Sequence, residues 1–107
     1  MNLPSPIHAY FDADRTGDGE TLVLAFARDA VVKDEGHSYA GHQAIGAWWR
    51  ETKEKYRTVM EPLEISEEDD VTKVIARVTG HFPGSPARIR FAFRLNGDQI
   101  TKLEITA

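Results

Sequence analysis

The chain has 107 residues and no cysteine. That excludes a disulfide framework, a cysteine-ligated zinc site and a thiol nucleophile, and it suits a reducing compartment. No apolar run approaches the roughly 20 residues that span a bilayer. The first residues, Met1-Asn2-Leu3-Pro4, offer neither a basic nor an apolar leader region, so no signal peptide is expected and a cytoplasmic location is. An excess of basic residues is also missing. Lys and Arg number 13 against 17 Asp and Glu, a net charge of −4, which argues against a general nucleic-acid binder because phosphates need cations. There is no GxGxxG, no P-loop, no HExxH and no nucleophile elbow. The histidines, His8, His37, His42 and His81, fall in no recognised ligand spacing. No metal and no cofactor is therefore expected.

What is present is an ordinary globular composition, 41% hydrophobic and 28% charged. The length suits a single domain over residues 1–107. Ser5-Pro6 reads as a helix start, with Ser as the cap. Ile7, Tyr10 and Phe11 then share one helical face. Thr16-Gly17-Asp18-Gly19 ends that helix, and Asp18 can cap a second, with Leu22, Val23 and Phe26 turned inward. These spacings predict helices over 5–15 and 18–28. Ala30 to Lys33 reads as a short strand ended by the turn Asp34-Glu35-Gly36. The clearest helix covers 41–56, where Ile45, Trp48, Trp49, Thr52 and Tyr56 form one stripe. After Tyr56 the hydrophobic period changes to two, which predicts strands over 58–66, 71–82, 87–95 and 99–106 in one antiparallel sheet. Glu67-Glu68-Asp69-Asp70 reads as a solvated hairpin tip, since four adjacent carboxylates cannot all face one ion. Asn96-Gly97 is a strong tight-turn signal. Three helices followed by four long strands imply an α+β fold, a bent sheet wrapped around the Trp48/Trp49 helix.

The stretch Phe26-Ala27-Arg28-Asp29-Ala30-Val31-Val32-Lys33-Asp34-Glu35-Gly36, then Tyr39-Ala40-Gly41 and Ala44-Ile45-Gly46-Ala47-Trp48, resembles the NTF2-like superfamily. The likeness is to its SnoaL-like and ketosteroid isomerase-like branches, and the hairpin Phe93-Arg94-Leu95-Asn96-Gly97 adds to it. The resemblance implies a cone: three N-terminal helices packed on a strongly curved antiparallel sheet around an apolar pocket, often in a homodimer. Ketosteroid isomerases use an Asp base, a Tyr donor and a protonated Asp donor. Laid on that pattern, the base falls on Asp34 and the Tyr donor on Tyr10. The second donor falls on Phe91, which cannot donate, so steroid isomerisation itself is not implied. Phe11, Phe26, Trp48, Met60, Phe91 and Phe93 are the expected pocket lining.

Each residue also has a plainer role. Tyr10 could be a core residue bonded to a backbone carbonyl, and Asp34 a turn residue capping the backbone before Gly36. Three functions stay open: a cofactor-independent enzyme of the isomerase or polyketide cyclase type acting on a small apolar carbonyl compound, a non-catalytic binder of a small apolar molecule, and a dimeric interaction module. The outer sheet face, with Arg77, Arg90 and Arg94 beside Glu64 and Glu104, is the expected homodimer surface.

Overall fold

The computed structural model describes residues 2–107. Its elements run α1 (Ser5–Thr16), α2 (Gly19–Leu24), β1 (Phe26–Asp34), β2 (His37–Ala40), α3 (Gly41–Tyr56), β3 (Val59–Glu68), β4 (Val71–Thr79), β5 (Ala87–Asn96) and β6 (Gln99–Thr106). The strands form one six-stranded sheet in the order β2-β1-β6-β5-β4-β3. This is the α+β arrangement expected, with a difference in the sheet: β1 lies parallel to β6, and every other pairing is antiparallel.

Helix α1 begins one residue off the expected cap. Pro4 occupies the cap position without a side-chain bond, and Ser5 and Pro6 are already helical. Gly17 closes α1 in the left-handed region at φ 76°, where a residue without Cβ is unstrained. Asp18 caps α2 as expected, accepting from Thr21 N at 3.1 Å. Helix α2 then stops at Leu24 rather than at 28. The Ala25 carbonyl accepts from Ile100 N at 2.8 Å, and Phe26 pairs with Ile100 of β6. The open edge of β6 thus takes a segment of good helix formers into the sheet, a tertiary override of local propensity.

Residues Glu35 and Gly36 have φ of 51° and 79°, and Asp34 pairs with His37. Two positive-φ residues between paired strands make the tight hairpin turn that suits strand twist. The turn creates β2, four mostly exposed residues with no apolar alternation to announce them. Strand β4 ends at Thr79, short of the expected 82; Gly80 N donates instead to Ser85 Oγ at 2.9 Å and His81 N donates to the Tyr56 carbonyl. The acidic tip is a hairpin turn as expected, with Glu68 paired to Val71 across Asp69 and Asp70.

The core lies between the helices and one sheet face. Ile7 and Tyr10 of α1, Leu22 of α2 and Ile45 of α3 pack on Val32, Val74, Phe93, Ile100 and Leu103, all at most 1% exposed. Each such aliphatic side chain contributes roughly 1.5–3 kcal/mol by leaving water. Helix α3 runs against β1 and β2, and α1 reaches β3 and β6. Between them the helices leave part of the inner sheet face uncovered, and there the cavity opens.

Candidate functional site

A cavity of about 460 Å³ is lined by Tyr10 and Asp14 of α1, Trp48, Trp49, Thr52, Lys53 and Tyr56 of α3, the β1–β2 turn at Asp34 and Glu35, and apolar sheet residues that include Met60, Val78, Ile89, Phe91 and Ile105. The walls are mostly apolar with few polar groups, as small-molecule sites generally are.

Asp34 is the last residue of β1 before the tight turn, so its backbone is held on both sides, by His37 of β2 and Ile105 of β6. Its half-buried carboxylate accepts from Trp48 Nε1 at 3.0 Å. Burial pushes its pKa above the ordinary aspartate value, and the Glu35 charge adds to that; the Trp48 bond opposes it without cancelling it. Among the described residues, no cation pairs with Asp34.

Tyr10 is 1% exposed. Its ring is set edge-on against Phe11, Phe26 and Phe93 at centroid distances of 5.1, 5.8 and 5.7 Å, which fixes where the hydroxyl points. Among the described residues that hydroxyl has no hydrogen-bond partner, yet no sealed side-chain polar atom is left unpaired. The Tyr10 oxygen therefore reaches the cavity. Burial raises its pKa well above the free value, with Asp14 and then Asp34 adding to the shift, so at neutral pH it is a proton donor.

Asp14 is the group the residue pattern did not bring forward. It is 3% exposed, accepts from Trp49 Nε1 at 2.8 Å and from Lys53 Nζ at 3.1 Å, and Lys53 also donates to the Thr58 carbonyl. A lone buried charge is very costly; here the carboxylate has a counter-ion and two donors, and the ammonium has two acceptors. The signal was available: Asp14 continues the Ile7, Tyr10, Phe11 stripe at i+7, and a carboxylate on an apolar face demands a partner. Gly19 makes the arrangement possible, since a Cβ there would lie 2.9 Å from Trp49 Cζ3.

The expected residues divide. Asp34, Tyr10, Trp48, Met60 and Phe91 share the cavity wall. Phe11, Phe26 and Phe93 lie behind it, buried around the Tyr10 ring, because a side chain that fills the gap between helix and sheet cannot also face the void. Phe91, where the resemblance puts a second donor, presents only a ring. Trp48, expected as pocket lining, and its neighbour Trp49 each donate to a carboxylate. Among the described residues no cluster of three metal-capable side chains occurs, and no helix is long and apolar enough to cross a membrane.

The sequence profile of the SnoaL-like domain matches residues 7–103. The chain belongs to this family. A provisionally assigned polyketide cyclase from Sinorhizobium meliloti shares 42% identity over 97% of this chain and 95% of its own, with a TM-score of 0.93. Two more distant structures share the fold of this SnoaL-like chain at 20% identity. One, from Catenulispora acidiphila, has a ketosteroid isomerase-like fold and is in complex with trimethylamine; the match covers 99% of this chain and 87% of that one, with a TM-score of 0.85. The other, from Mycobacterium tuberculosis, is in complex with estradiol-17β-hemisuccinate; the match covers 99% and 95%, with a TM-score of 0.80. No curated protein matches the chain.

Proposed function

We propose that this SnoaL-like protein catalyses proton transfer on a small, largely apolar carbonyl compound, with Asp34 as the base and Tyr10 as the donor. One observation carries the reading: a carboxylate with a raised pKa shares an apolar cavity with a buried hydroxyl, and among the described residues the first has no counter-ion and the second no hydrogen-bond partner. Asp34 takes a proton from the carbon beside the carbonyl. Electron density moves to the carbonyl oxygen, which the Tyr10 hydroxyl stabilises as it becomes enolate-like. Return of the proton at another carbon completes an isomerisation; attack of the enolate carbon on a second carbonyl of the same molecule, whose oxygen then takes the proton held by Asp34, completes a cyclisation. The Sinorhizobium meliloti relative fits the second outcome, and Phe91 weighs against the steroid version of the first, which calls on a second donor.

A second reading, a non-catalytic binder, draws on that same Phe91. With Tyr10 the one donor at the two positions where the isomerase pattern places them, the site could hold a carbonyl oxygen without activating it. A screen of enones, cyclisable β-diketones and epoxides separates the two. Catalysis predicts turnover by the wild type that Asp34→Asn loses while ligand affinity stays within a few-fold; binding without turnover across the screen favours the binder.

We also propose a homodimer through the outer sheet face. Arg77 pairs with Glu61 at 2.8 Å and Arg88 pairs with Glu64, so Glu64 is satisfied within its own chain. Arg90, Arg94 and Glu104 remain exposed, with no ion-pair partner among the described residues, available to a two-fold mate. A sedimentation mass of two chains at micromolar concentration is the expected result, and one chain would end the proposal.

A further inference from the structure

The charges around the cavity do not balance. Its wall holds the carboxylates of Asp14, Asp34 and Glu35 against the ammonium of Lys53, and Lys53 is committed to Asp14. Asp34 and Glu35 are left at the mouth end. There the cavity continues into a small recess walled by the rings of Tyr39, Trp48 and Tyr56 and the carboxylates of Asp34, Glu35 and Glu51. The rings are already organised: Tyr39 and Trp48 lie 6.1 Å apart, and the Tyr56 hydroxyl leans to Glu35 at 3.4 Å. Ring faces and carboxylates attract a cation and repel an anion.

One cation already rests in this recess. The Lys55 ammonium lies 5.0 Å from the centroid of the Tyr56 ring and lines the recess. The Tyr56 hydroxyl and then the Glu35 and Glu51 carboxylates favour its charged form, and its pKa is raised. Lys55 is exposed and flexible by nature, so it can leave. At the deeper part of the cavity stands the Tyr10 hydroxyl, on a side chain 1% exposed and without a partner among the described residues, which calls for a ligand oxygen.

We propose that the ligand of this cavity carries an organic ammonium, which displaces Lys55 from the Tyr56 face and sits beside Glu35 and Glu51 while the ligand's apolar body and oxygen reach inward to Tyr10. The substrate class becomes an amine-bearing carbonyl compound. The carbonyl end rests on the function proposed above; the ammonium end rests on the recess alone.

Three probes of one shape test the charge preference at low ionic strength, where exposed electrostatics are least screened: phenyltrimethylammonium, neutral tert-butylbenzene and anionic benzenesulfonate. None has a carbonyl or an acidic carbon, so the result is independent of catalysis by Asp34. Binding is read from tryptophan fluorescence. Phenyltrimethylammonium should bind at least fivefold tighter than tert-butylbenzene, and benzenesulfonate should bind more weakly than either. Glu35→Gln, a change in an exposed turn, should reduce the preference at least twofold. Lys55→Met should tighten the cation at least twofold. A preference below fivefold, or sulfonate binding that matches the cation, overturns the proposal; so does a preference that either variant leaves unchanged, which would place the cation outside the recess. Loss of turnover in Asp34→Asn with no cation preference would remove the ammonium and leave the catalytic reading standing.

Discussion

Two of the carboxylates on the cavity wall are each held by one of two adjacent indoles: Trp48 donates to Asp34 and Trp49 to Asp14. Their surroundings send them to different work. Asp14 is nearly fully buried and has an ammonium 3.1 Å away; its charge is neutralised, and it ties α1 to α3 and, through Lys53, to the carbonyl of Thr58 before β3. Asp34 sits at the mouth with no cation paired to it among the described residues, and burial lifts its pKa. Residue type and indole donor are constant between the two. What differs is the depth of burial and the counter-ion; the counter-ion makes one carboxylate a structural tie, and its lack suits the other to the base role proposed for it.

The largest effect of a substitution is expected at Asp14. Asp14→Ala leaves Lys53 without its counter-ion and Trp49 Nε1 without its acceptor, and breaking a buried pair in this way costs about 3–5 kcal/mol. A chemical denaturation series should show that loss; stability within experimental error of the wild type would mean the pair is not a tie at all. Next comes Tyr10→Phe. The lost hydroxyl has no partner among the described residues, so the melting temperature should stay close to that of the wild type, while turnover should fall by about 2–3 kcal/mol of barrier, on the order of 100-fold. A large loss of stability with turnover intact would reverse the role given to Tyr10.

Gly19→Ala probes the Trp49 ring. The new Cβ would need to push a packed indole aside, at about 1–3 kcal/mol, and the near-ultraviolet tryptophan spectrum should change with it. A silent Gly19→Ala would show that Trp49 has room to move. The smallest expected effect is on stability at the Asp34 end, and its sign is opposite to that at Asp14. A carboxylate whose folded pKa is raised favours folding below its unfolded pKa, and that contribution is lost as pH rises through the folded pKa. At neutral pH the ionised Asp34 therefore destabilises the fold. Asp34→Asn should melt slightly above the wild type at pH 7, with the gap narrowing as pH falls toward the ordinary aspartate range. A variant that melts below the wild type at pH 7 would contradict the sign.

Much of the fold was legible in the sequence because its signals are local. The Ile45, Trp48, Trp49 stripe defines α3, and the clean alternation through Ile89, Phe91 and Phe93 defines β5. The parallel junction of β1 with β6 was not legible. It depends on which edge is open after the hairpins have formed, and Ala25 to Arg28 read as helix until β6 claims them. The β2 strand was hidden for a related reason: it exists because the Glu35-Gly36 turn reverses the chain, not because His37 to Ala40 carries a strand pattern. At the site, the resemblance to the isomerase pattern brought Asp34 and Tyr10 forward, while Asp14 and Lys53 are 39 residues apart, and only the packing of α1 on α3 makes them a pair. The three phenylalanines around Tyr10 show the limit of reading a wall from hydrophobicity alone: residues that fill space and residues that border it are the same types.

The difference between the two carboxylates is tested most directly by carbon-13 NMR titration of the side-chain carboxyls, with Asp34→Asn used to assign the Asp34 signal. The expected result is an Asp34 midpoint above the free aspartate value of about 3.9, raised chiefly by burial. A midpoint at or below that value would mean that an unrecognised cation or donor holds Asp34 ionised, and the contrast with Asp14 would be gone.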